Sequence, residues 1–280
     1  MSDDKGAVLS LDTTEITKVL VSPEGLWRDV RIVAETGSTN ADLLAAARAG
    51  AAEGTVLVAE AQTAGRGRLG RRWASPPRAG LTFSALLRPD GVPGALLGWL
   101  PLLAGVATTA AVRAVAAVDP ALKWPNDVLA GSAKLGGILA ERAGNAVVVG
   151  IGINVWQSRA DLPPDAAATS LALEAAAGGL AAGPGDPGPR ERLLAELLAE
   201  LSRWYLAWRD QASPGDADAC GLRREYVRRC ATLGRQVTVT LPGGQAISGT
   251  ATGVDRAGRL EVRTAAGLVQ VSAGDVVHVR

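Results

Sequence analysis

The 280 residues carry 29 Lys and Arg against 28 Asp and Glu, a formal net charge of +1, with 48 % hydrophobic and 20 % charged residues. That is room for one full-sized domain and a small appendage, and near-neutrality gives no global attraction to DNA or acidic membranes, so any handling of phosphate has to come from local clusters of charge. One histidine, His278, and two cysteines, Cys220 and Cys230, leave no material for a Ser-His-Asp hydrolase, a His-rich metal site or a disulfide framework.

Taken in chain order, the opening MSDDKGAVLS is polar and acidic and lacks the layout of a signal peptide, which predicts a cytoplasmic protein. Residues 28–36 predict an entering strand, and Ser38 or Thr39 caps a helix from Asn40 to Gly50. TVLVAEA at 55–61 and LTFSALL at 81–87 predict strands. Residues 92–112 contain no charge and match the length of a membrane span. Pro93, Pro101 and the many small residues instead predict a buried helix from near Leu96 to beyond Arg113, with no membrane involved. Residues 121–125 read as extended because Pro125 disfavours helix at Trp124. A strand pair follows at 133–141 and 146–155, turning at Gly144–Asn145. A Gly/Pro/Ala-rich loop is expected at about 176–190, then an amphipathic helix at 190–208. From about residue 232, alternating strands separated by PGG and DRAG turns predict a small all-β module, a barrel.

Two residue types are scarce. The four lysines are Lys5, Lys18, Lys123 and Lys134, and the four asparagines are Asn40, Asn126, Asn145 and Asn154. Two of those lysines and three of those asparagines fall in the short motifs described next.

The strongest local signal is Gly65-Arg66-Gly67-Arg68-Leu69-Gly70-Arg71-Arg72-Trp73. It matches the spacing G-x-G-x-x-G, but a dinucleotide site needs a helix directly after the motif. Pro76, Pro77 and Gly80 forbid one, so no helix N-terminus is available to seat a pyrophosphate. By composition alone a run of charge is a solvated loop. Four arginines interleaved with three glycines suit something else: glycine lets backbone approach a ligand, and guanidinium grips phosphate or carboxylate in pairs of bonds. The loop is suited to closing over an anionic, phosphorylated small molecule. No G-x-x-x-x-G-K-[ST] sequence occurs, so a P-loop is excluded.

The loop stands in a series. It is preceded by Glu35-Thr36-Gly37-Ser38-Thr39-Asn40 and Ala59-Glu60-Ala61-Gln62-Thr63-Ala64. It is followed by Lys123-Trp124-Pro125-Asn126-Asp127, by Lys134-Leu135-Gly136-Gly137-Ile138-Leu139-Ala140-Glu141, and by Gly150-Ile151-Gly152-Ile153-Asn154. In this order, with a β module at the end, the chain resembles the biotin–protein ligase family over roughly residues 30–280. The resemblance implies an α/β (α+β) fold: an N-terminal segment 1–27, a mixed-sheet catalytic domain at 28–215, and an SH3-like barrel at 232–280. It implies that biotin and ATP, with Mg²⁺, give biotinyl-AMP, and that the biotin then passes to a lysine on the biotin carboxyl carrier domain of an acyl-CoA carboxylase.

It also implies roles. Lys134, Arg68 and Asp127 would be catalytic, Lys134 as the cation between biotin carboxyl and phosphate and Asp127 orienting or deprotonating the incoming lysine. Ser38, Thr39, Asn40, Gln62 and the backbone near Arg66, Gly67 and Arg68 would hold biotin. Arg68, Arg71, Asn126 and Asn154 would face ATP, with Asn126 near the phosphates or their metal. Trp73 and Trp124 would be pocket walls or core. Family members that repress transcription carry a helix-turn-helix domain of some sixty residues before the catalytic domain. Only 37 residues precede Ser38, so DNA binding is not expected.

Two other readings compete. A lipoate–protein ligase shares the fold and adenylate chemistry but lacks the arginine–glycine loop in this form. A nucleic-acid-binding module would use the basic loop and the terminal barrel, yet the barrel region has few aromatics on which bases stack.

Overall fold

The computed structural model describes residues 11, 12, 14, 17, 21, 22, 24–164, 167–175 and 188–279. Its centre is a seven-stranded mixed sheet in the order β1-β2-β3-β7-β6-β5-β4. The strands are β1 (Asp29–Val33), β2 (Thr55–Ala59), β3 (Gly80–Leu87), β4 (Pro120–Lys123), β5 (Asp127–Ala130), β6 (Ala133–Ala143) and β7 (Ala146–Asn154). Only β1 and β2 run parallel, and every other pair is antiparallel.

Both faces of this sheet are covered, which explains the near-continuous apolar runs in β3 and β7. Alternate side chains divide between two clusters. Phe83, Ala85, Leu87, Val147 and Val149 enter the main core, while Leu86, Ala146 and Val148 meet Leu43, Leu44 and Ala47 of helix α1 (Thr39–Arg48) on the other side. The main core is built by α2 (Trp99–Ala116) and α4 (Gly188–Arg209), which pack on each other. Helix α2 is long and apolar enough to cross a membrane, but 72 % of it is buried inside the protein, as expected for a core helix. Of the Gly/Pro-rich stretch, 176–187 lie outside the described residues and 188–190 already open α4. Two shorter helices are α3 (Leu171–Ala175) and α5 (Leu222–Arg229).

The terminal module is a five-stranded antiparallel sheet, β11-β10-β9-β8-β12. Its strands are β8 (Gln236–Thr240), β9 (Ala246–Val254), β10 (Leu260–Thr264), β11 (Gly267–Val271) and β12 (Asp275–His278). The two end strands do not pair, so the expected barrel is present as an open sheet. Strand β9 is absent from the sequence reading, because Gly249 and Gly253 break its alternation. Strand β5 is absent too, being four residues that follow a turn directly. The module shares the main core through Val237, Val239, Leu260 and Val276. The indole N–H groups of Trp99 and Trp124 also reach into it, donating to the carbonyls of Arg256 and Gly258.

Candidate active site

The parallel pairing of β1 and β2 brings two motifs side by side. Beyond the strand ends the chains continue in step, with Thr36 bridged to Gln62 and Ala64 N donating to Gly37 O at 2.8 Å. The Ser38-Thr39-Asn40 turn therefore meets Gln62. Ser38 caps α1, its Oγ accepting from Ala41 N at 3.5 Å. Thr39 N and Thr39 Oγ1 both donate to Gln62 Oε1, at 2.8 and 3.2 Å. This fixes the Gln62 amide at a cleft that Ser38, Thr39 and Gln62 line together.

The cleft has a volume of about 680 Å³ including its open mouth. Its floor is a run of glycines in β6 and β7, where Gly137 pairs with Gly152 and Leu139 with Gly150. Their missing side chains leave space for other groups. The Trp73 ring lies on Gly152, where a Cβ would come within 2.4 Å of Trp73 Cε2. Trp73 is thus a cleft wall, and its indole N–H is buried without a partner. Trp124 is core, 2 % exposed.

Lys134 comes from the start of β6, where its backbone is held by Ala167 O and Thr169 N at 2.7 and 2.9 Å. Its Nζ donates to Asp127 Oδ1 at 2.5 Å across the β5–β6 pair. The ammonium stands beside Gly137 on the same floor as Trp73.

The arginine loop is a small, ordered hairpin. Arg66 and Arg72 are bridged, Gly67 N donates to Arg71 O at 2.7 Å, and Trp73 N donates to Gly65 O at 3.0 Å. A single 3₁₀ turn, Arg68–Gly70, takes the place of the long helix a dinucleotide fold needs. Leu69 at its tip has φ 55° and is 59 % exposed, an unusual conformation for a bulky side chain. Arg68 Nη1 donates to Asn126 Oδ1 at 3.0 Å, and Arg68 also reaches the Gly274 carbonyl of the terminal module at 3.3 Å. Arg71 pairs with Asp275 at 2.5 Å. Burial pushes Arg68 below its ordinary pKa, an effect opposed by Asp275. Arg66, Gly67, Arg68 and Arg71 line the cleft with Lys134 and Asn126.

Asp127 and Asn154 are not among the residues that line the cleft, Asp127 reaching it through its bond to Lys134, and Asn40 does line it. Asn154 is 6 % exposed, donates to Thr169 O at 2.9 Å, accepts from Gln157 and does not line the cleft. Asn40 lines it, but its side chain is fully engaged. Nδ2 donates to Leu139 O and Glu141 Oε2 at 3.1 and 2.9 Å, and Oδ1 accepts from Ser84 Oγ at 2.6 Å. Ser84 and Glu141 were not singled out from sequence. A serine amid the apolar strand LTFSALL is the available signal, since a buried polar residue is the informative exception. Gly274 and Asp275 carried no signal at all.

The sequence model of the Biotin/lipoate A/B protein ligase family matches residues 36–157, and that of the Biotin protein ligase C terminal domain matches residues 232–279. The chain is 46 % identical to the biotin–[acetyl-CoA-carboxylase] ligase of Mycobacterium tuberculosis, over 96 % of each chain. Its fold is similar to the biotin protein ligase of Aquifex aeolicus solved with biotin and ATP, with a TM-score of 0.74 and 29 % identity, covering 91 % of this chain and all of that one. It is also similar to the Leishmania major biotin protein ligase solved with biotinyl-5-AMP, with a TM-score of 0.59 and 25 % identity, covering 88 % of this chain and 99 % of that one.

Proposed function

The chain belongs to the biotin/lipoate A/B protein ligase family, and we propose on that premise that it activates biotin with ATP as biotinyl-5′-AMP and transfers the biotin to a lysine of a carboxylase carrier domain. The observation that carries this reading is the convergence of Lys134, the arginine loop and the Ser38–Thr39–Gln62 group on one cleft. A carboxylate and a triphosphate repel each other, so their reaction needs fixed cations at the point of attack. Lys134 supplies one, and Arg68 and Arg71 supply two more from above.

Biotin's ureido ring offers one acceptor and two donors. Gln62 Nε2 and the Ser38 hydroxyl would donate to its carbonyl. The glycine floor and Trp73 would hold the apolar ring system. The carboxylate oxygen then bonds the α-phosphorus while pyrophosphate leaves. Asp127 holds Lys134 through Oδ1, and its second carboxylate oxygen would orient the acceptor amine. That amine attacks the acyl carbon, AMP leaves, and the amine proton is lost.

Asn126 engages Arg68 through Oδ1 and Ile138 O through Nδ2, so its role is to aim Arg68 at phosphate. Among the described residues no three His, Cys, Asp or Glu gather as a metal cage. Mg²⁺ is accordingly assigned to the triphosphate, entering with ATP, since this ion keeps its waters and binds through phosphates and few carboxylates.

The test is to mix purified protein with ATP, Mg²⁺ and either biotin or lipoate and to look for the adenylate by mass spectrometry. Biotinyl-AMP alone is expected. Lipoyl-AMP in its place would move the chain to the lipoate branch, and neither product would overturn the reading.

A further inference from the structure

A chain of polar contacts runs from the arginine loop to the Gln62 end of the cleft, and its second member has no part in the chemistry above. Glu141, at the far end of β6, splits its carboxylate. Oε1 pairs with Arg66 Nη2 of the loop at 3.2 Å, and Oε2 accepts from Asn40 Nδ2 at 2.9 Å. Asn40 cannot turn over without placing its oxygen against Leu139 O and Glu141, so its Oδ1 is held toward Ser84. Ser84 is fully buried and lies 2.7 Å from Thr39 Oγ1, which in turn holds Gln62. Gly150 is cut to fit, since a Cβ there would stand 2.1 Å from Asn40 Oδ1.

The charge pattern singles out the same residue. Four arginines surround the cleft and the cavity behind the loop, and among the described residues Glu141 is the one acid lining either. Its carboxylate therefore answers the loop on one side and the biotin end on the other.

We propose that Glu141 is a positioning residue that couples closure of the arginine loop to the alignment of the Thr39–Gln62 pair, so that the loop closes best over a correctly seated ligand. This rests on the function proposed above. Asn40 acts here as a link in the chain, not as a ligand group.

The two oxygens can be tested separately. Glu141→Gln keeps an acceptor for Asn40 and removes the charge facing Arg66. It should release biotinyl-AMP roughly 2–5-fold faster, the scale of a half-exposed ion pair, with a smaller change in biotin KM. Glu141→Ala removes both contacts and should also raise biotin KM about tenfold, the scale of a lost hydrogen bond to a charged group. The kcat for adenylation should change least in both. Adding Arg66→Ala to Glu141→Gln should speed release no further, because both act on one contact. Additive release rates, or an unchanged biotin KM in Glu141→Ala, overturn the proposal. If the wild-type protein forms no biotinyl-AMP, the function fails instead. Glu141 is then judged by trypsin cleavage at Arg66–Arg72 in the ligand-free chain, which both variants should accelerate and which would otherwise count against the coupling.

Discussion

Lys134 and Asp127 form a single charged unit, with the ammonium 2.5 Å from one carboxylate oxygen. The contact holds the cation over the glycine floor. Losing a preorganised cation at the reacting atoms costs about 3–4 kcal/mol, so Lys134→Ala should slow adenylate formation by about 10²–10³-fold. Asp127→Asn keeps an acceptor for Lys134 but removes its charge. Transfer to the carrier lysine should then fall further than pyrophosphate release, read in single-turnover experiments on each half. Equal losses in the two halves would leave Asp127 as a holder of Lys134 and nothing more.

Asp275 gives the arginine loop its charged tether to the terminal sheet. Both partners are well exposed, so the pair contributes about 1 kcal/mol or less to stability. Asp275→Asn should leave the melting temperature nearly unchanged while trypsin cuts at the arginine cluster roughly 2–5-fold faster. Biotin with ATP–Mg²⁺ should suppress that cleavage in the parent and less so in the variant. An unchanged digestion rate would show that the Arg66 and Arg68 contacts hold the loop without Asp275.

The glycine floor sets the seat of Trp73. Gly152→Ala places a methyl 2.4 Å from the indole, and forced overpacking of this kind costs about 1–3 kcal/mol. Because the ring faces a cleft, it should move instead of unfolding the sheet. Biotin binding by calorimetry should weaken about tenfold or more, with the far-ultraviolet circular dichroism retained. Trp73→Ala in the same chain should recover part of the loss. If the single variant binds normally, Trp73 is not a wall of the biotin site.

His278 on β12 contacts Thr232 Oγ1 at 3.2 Å, and the same hydroxyl accepts from Trp124 N. Burial first, then Lys123 and Arg235, lowers the imidazole from its ordinary 6.5. The unfolded chain therefore takes up this proton before the folded one does. The contribution of His278 to stability is complete above 6.5 and declines as pH falls from there to the folded value, where it levels off. Between pH 7 and 5 the melting temperature of His278→Gln should fall less than that of the parent. Parallel curves for the two proteins would remove His278 from the acid response.

How much of this was legible depended on distance along the chain. The arginine loop, the Ser38–Asn40 turn and the Lys134 strand are contiguous, and their chemistry shows in residue type alone. Strands β2, β3, β6 and β7 announced themselves by apolar runs bounded by turns. What stayed hidden was pairing. Gly274 and Asp275 are unremarkable until folding sets them against residues 68 and 71. The family resemblance drew attention to Asn40 and Asn154, yet both amides are satisfied inside the protein. Side-chain type reveals what a residue can bind, and only the fold reveals whether it is already bound.

The loop at Arg68 and its anchor at Gly274 are separated by 206 residues. A ribosome working from the N-terminus completes the whole seven-stranded sheet, with Lys134, Asp127 and the glycine floor, long before it reaches that anchor. A chain stalled short of Gly274 would carry every cation of the cleft, and its loop would keep the Arg66–Glu141 and Arg68–Asn126 contacts. Such a fragment would also lack Val276, a side chain of the shared core. The order of synthesis therefore leaves the loop's anchors at Gly274 and Asp275, and Val276 of the shared core, to the final strand and the residue before it.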